Sequence, residues 1–75
     1  MKLSKTYWER VTRKGCAIHS LYTDSGIILA SVSDFRSIGE GIIAEMIRPA
    51  SALGGRRVAS IRAGKKWAQA RAGVR

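Results

Sequence analysis

A chain of 75 residues makes one domain, and at this size it buries only about 60% of the surface its unfolded form exposes, so pairing into a homodimer would relieve its small core. Its hydrophobic content of 45% beside 25% charged residues excludes the disordered class. Fourteen Lys and Arg against five Asp and Glu give a net charge of +9, which selects an anionic partner such as nucleic acid, an acidic protein surface or anionic lipid.

The charge is unevenly spread. Residues 1–24 hold five bases and two acids, residues 25–55 hold two bases and three acids, and residues 56–75 hold seven bases and no acid. Nine of the fourteen bases are Arg, whose planar fork suits phosphate or carboxylate. The single Cys16 forms no intrachain disulfide. With His19 it makes only half a metal site, and the chain has no other Cys or His to complete it, so no metal is expected. The longest apolar runs, such as Ile27-Ile28-Leu29-Ala30, fall far short of the roughly 20 residues of a membrane span. The N-terminal residues lack the apolar core of a signal peptide, so a cytoplasmic, membrane-free location is expected.

In chain order, residues 7–13 are rich in aromatic and β-branched types and read as a strand ending at a turn marked by Gly15. Residues 17–22 and 27–32 read as a hairpin closed by Thr23-Asp24-Ser25-Gly26, with Tyr22 opposite Ile27. In that register Ile18, Tyr22, Ile27 and Leu29 share one face, while Ala17, His19, Leu21, Ile28, Ala30 and Val32 share the other. Both faces are largely apolar, which makes these strands central or covered, and makes His19 a core histidine.

Phe35, Ile38, Ile42 and Met46 recur at helical spacing, which predicts a helix ending near Ile47, before Pro49. Its start lies either at Ser33 or Asp34, or at Ser37 with Glu40 as a capping box. Residues 49–55 form a connector, with Pro49 and Gly54 able to bound one helical turn.

The acid-free end has two readings. As a hairpin, residues 57–62 and 67–71 are strands joined by Ala63-Gly64-Lys65-Lys66. Trp67 then shares a face with Arg62, Gln69 and Arg71, a platform on which bases could stack, or else belongs to the core with its arginines over the edge. As a helix, the same Ala-rich residues would follow the earlier helix in a helix-turn-helix, although the connector is long for that motif. The hairpin is the preferred reading. The expected fold class is thus α+β, a single domain over 1–75 in the order β-β-β-α-β-β, with residues 71–75 as a flexible basic tail.

Catalysis finds no support. Ser20, His19 and Asp24 could form a triad only on paper, because adjacent strand residues point to opposite faces. Gly64-Lys65-Lys66 lacks the Ser or Thr and the glycine spacing of a nucleotide-binding loop, and Gly54-Gly55-Arg56-Arg57 is a weak anion site. The expected function is therefore non-enzymatic binding of a nucleic-acid backbone, with no cofactor and no small-molecule substrate. Arg56, Arg57, Arg62, Lys65, Lys66 and Arg71 are the candidate phosphate contacts, with Arg10, Arg13 and Lys14, together with Lys2 and Lys5, assisting from the N-terminal third. Trp67, and secondarily Trp8, are the candidate stacking residues. A second reading of a different class is a small inhibitor or adaptor of the kind phages and other mobile elements carry, anti-CRISPR- or anti-restriction-like. It would dock on a host nucleoprotein complex through an acidic protein surface or a guide RNA.

Overall fold

Period-two alternation governs most of the chain. The computed structural model describes residues 5–47 and 55–73. Five strands, β1 (Thr6–Arg13), β2 (Cys16–Thr23), β3 (Ile28–Phe35), β4 (Gly41–Met46) and β5 (Arg56–Val58), form one antiparallel sheet in sequential order. A single helix, α1 (Ile61–Ala72), follows and packs on one face of the sheet, chiefly over β3 and β4. The result is a small α+β domain.

The registers arrange the helix-covered face in rows across the sheet. One row runs Trp8, Leu21, Ala30, Met46; the next runs Arg10, His19, Val32, Ala44, Arg56; a third runs Thr12, Ala17, Asp34, Ile42, Val58. Leu21, Ala30, Val32 and Ala44 are fully buried, and Trp8, Val58, Ile61 and Trp67 close the core around them. Among the described residues no element covers the opposite face, where Tyr7 stacks on Tyr22 with ring centroids 5.5 Å apart.

Several expectations are corrected. The helix expected to end near Ile47 is absent: Phe35 ends β3, Arg36–Ile38 form one 3-10 turn, and Gly41–Met46 are a strand. Gly39 and Gly41 both adopt φ near +80°, which breaks any helix there. Beyond them Ile42, Ala44 and Met46 are buried while Glu45 is exposed, a strand alternation that the helical spacing of Phe35, Ile38, Ile42 and Met46 conceals. The preferred C-terminal hairpin is also absent. Only Arg56–Val58 pairs, with β4, and the remainder is helix, so the element order is β-β-β-β-β-α. With strands preceding α1, the helix-turn-helix reading falls as well. In the β2–β3 hairpin Tyr22 pairs with Ile28 across a bulge, not with Ile27, and this irregularity brings Leu29 into the core with Leu21 and Ala30. Arg71 and Ala72 are helical, so the expected tail does not begin at 71; residues 74 and 75 and the connector residues 49–54 lie outside the described residues.

Ser60 caps α1 by accepting a hydrogen bond from the Ala63 amide at 3.0 Å, which satisfies one of the first-turn donors. Gly73 ends it in the left-handed conformation. Gly64, costly in an isolated helix, lies against the sheet: a Cβ there would stand 2.7 Å from Val32 Cγ1 and 3.1 Å from Val58 Cγ2. Gly64→Ala is expected to lower stability in urea unfolding by about 1–2 kcal/mol, the clash outweighing the helix propensity that Ala adds. An equal or more stable variant would show that α1 does not sit this close.

Candidate nucleic-acid interface

Burial of Gly64 and Ala68 fixes the rotation of α1 on the sheet. At 100° per residue, Lys65 and Gln69 then fall on the flank that faces β1, Arg62 and Lys66 on the outer side above it, and Trp67 and Arg71 on the other flank. Arg62, Lys65, Lys66 and Gln69, with Ile61 and the Trp8 ring of β1, line an open groove of about 670 Å³. Lys65 Nζ lies 5.2 Å from the centre of the Trp8 ring, within cation–π distance.

Beside the groove, Arg10 and His19 face each other across β1 and β2, and Arg10 lines a separate cleft with Asp34 and Arg36. The His19 pKa lies below its ordinary value of 6.5, first because burial disfavours its charged form and then because the Lys65 and Arg10 cations repel a proton; Asp34 acts more weakly in the opposite direction. Asp34 is itself engaged. Arg36 donates to it from Nε at 2.9 Å and from Nη2 at 2.7 Å, and these bonds hold its carboxyl at about 2. That is the only ion pair among the described residues.

The expected site residues are therefore partly gathered and partly dispersed. Arg62, Lys65 and Lys66 share the groove, and Arg10 stands beside it on the same face of the sheet, in a cleft that also holds Asp34. Arg56 lies at the far edge, in the same cross-sheet row as Arg10 but beyond the helix. Arg57 lies on the uncovered face, its side chain passing within 3.4 Å of where a Cβ on Gly41 would stand. Arg13 ends β1 and Lys14 lies in the β1–β2 turn, away from α1. Trp67 packs against both core clusters, its Nε1 is buried with no hydrogen-bond partner, and Arg71 stands 5.4 Å from its ring centre. Gly55 serves packing: a Cβ on it would meet Ile43 Cγ2 at 2.6 Å. Trp8, ranked second as an aromatic contact, is the one that lines the groove. His19 was read as core and instead borders the cations. The alternation of β1, which places Trp8 and Arg10 on one face, is the signal that could have found both.

No family model, no curated protein and no solved structure matches this chain.

A histidine whose folded-state pKa is depressed favours the neutral form, so its contribution to stability is complete above pH 6.5 and is lost as the pH falls below it. In a pH series of unfolding measurements the protein is expected to lose stability on acidification through this range, and His19→Gln to flatten that part of the curve. A His19 midpoint above 6.5 in an NMR titration of the free protein would contradict the arrangement.

Proposed function

We propose that this protein binds the phosphate backbone of nucleic acid, without catalysis, along the groove between α1 and β1. The observation that carries the reading is the convergence of Arg62, Lys65 and Lys66 of the helix on a groove lined by no acid, with Arg10 on the same face of β1 beside it. Cations so placed, none of them in an ion pair among the described residues, relieve their mutual repulsion by condensing on a polyanion. Trp8 lies beneath Lys65, so the groove favours backbone contact over base stacking: a base could reach the ring only by displacing the ammonium.

Four cations neutralising four phosphates imply that affinity for duplex DNA falls by about 150-fold between about 50 and 200 mM salt. Arg62→Ala combined with Lys66→Ala should reduce that loss to about 12-fold, since two fewer counterions are released. Arg57→Ala, on the opposite face, should leave it unchanged. Fluorescence anisotropy with a labelled duplex and a labelled single strand measures all three. Binding indifferent to salt, or equally weakened by Arg57→Ala, would overturn the proposal.

A further inference from the structure

The uncovered face of the sheet carries a second feature unlike the groove. Where β1, β2 and β3 meet the 3-10 turn, Cys16, Ile18, Phe35 and Ile38 line an open apolar pocket of about 290 Å³, with Arg13 and Lys14 at its rim. Ile38 is 63% exposed and Val11, paired with Ile18, is 43% exposed, so the apolar surface extends beyond the pocket. The Cys16 thiol lies 3.6 Å from Ser37 Oγ, which ties the 3-10 turn to β2 and holds Ile38 over the pocket edge. No acid lines it.

Lys14 adds an independent observation. It has φ 53°, the only non-glycine among the described residues in the left-handed region, and with Gly15 at 78° it makes the two-residue turn between β1 and β2. Such turns ordinarily take Asn, Asp or Gly at both central positions. The turn requires that conformation, and a lysine in it places a cation beside the apolar opening.

We infer that this pocket docks an acidic protein segment presenting one apolar side chain flanked by carboxylates. The anchor seats between Ile18, Phe35 and Ile38, and the flanking carboxylates meet Arg13 and Lys14. At about 290 Å³ the pocket sits at the lower edge of the roughly 300–1,000 Å³ typical of small-molecule sites, room enough for one apolar side chain. A second copy of this chain is the poorer occupant, because a two-fold contact centred here would bring both Arg13–Lys14 pairs together between molecules each carrying +9. Nucleic acid is poorer still, for the lining offers a base edge almost nothing to bond. The two faces of the sheet then address two partners, and this inference stands independently of the groove.

The probe is a short synthetic peptide of glutamates around a single leucine, titrated into isotope-labelled protein, with a control peptide carrying serine in place of leucine. The leucine peptide is expected to perturb the signals of Ile18, Phe35 and Ile38. The serine peptide and the Ile38→Ser variant should each bind at least about tenfold more weakly, as loss of a buried aliphatic anchor implies. Lys14→Asn, which keeps the turn but removes the charge, should cost about threefold. Ile38 is exposed, so its variant keeps the fold, and its nucleic-acid affinity should equal that of the parent, which separates the two readings. Perturbations confined to α1, equal binding of the serine peptide, or no perturbation at millimolar peptide would overturn the inference. So would a concentration-dependent dimer in sedimentation that Ile38→Ser abolishes, because that would assign the pocket to a second copy.

Discussion

The close approach of α1 to the sheet is the constraint on which the rest depends. Gly64 and Ala68 bring the helix backbone down onto Val32, Ala30 and Ala44, three side chains with no exposed surface. A larger residue at any of these contacts would lift the helix or rotate it. With the rotation set, the half-buried Ile61, Trp67 and Ala72 border the buried stripe, and every charged residue of α1 falls on a flank or on the outside. The basic surface is thus a product of packing: small residues where the helix touches, and long cations where it cannot.

The same rotation separates the charges of the domain. On the helix-covered face the one strand carboxylate, Asp34, is held by Arg36, while Glu9 and Glu45 project from the uncovered face in a shared cross-strand row with Ser20 and Ser31. A net charge that belongs to the whole chain in the sequence is concentrated by the structure on the helix side, while on the other face Arg13, Lys14 and Arg57 are offset by these two carboxylates. Clefts lined by one sign of charge attract counter-ions far more strongly than the same charges scattered over a surface. Trp8 contributes as the groove wall against which Lys65 is positioned, and His19, its pKa lowered first by burial and then by Lys65 and Arg10, does not add to the repulsion at neutral pH.

The N-terminal half of the fold is legible in the sequence because its strands alternate and are closed by turns marked by Gly15 and by residues 23–26, so β1 and β2 lie within a residue of where the pattern puts them, while β3 runs on to Phe35, three residues past the expected 27–32. The one-residue bulge beside Tyr22 is not legible, since it depends on how Leu29 fills the core. The 33–47 segment misleads for a specific reason: Phe35, Ile38, Ile42 and Met46 match a helical stripe by coincidence, while the two positive-φ glycines that forbid it read equally well as the first turn of a helix. At the C-terminus, Ala-rich residues with a central glycine suit two architectures, and the tertiary contact of Gly64 with Val32 decides between them. Hence the basic residues were identifiable as a class from charge alone. Which of them share a surface was not, because a hairpin and a helix sort the same residues differently: the hairpin grouped Arg62 with Trp67 and Arg71, and the helix groups it with Lys65, Lys66 and Trp8.

The central claim is that one face of this small domain, the α1–β1 groove, is the polyanion-binding surface. Mapping amide and indole chemical shifts while titrating a short duplex into isotope-labelled protein at low salt tests it most directly. The account predicts saturable shifts at Trp8, Arg10, His19, Arg62, Lys66 and Gln69, with Phe35, Ile38 and Ile43 of the opposite face silent. Shifts centred on the uncovered face, or spread evenly over both, would contradict it.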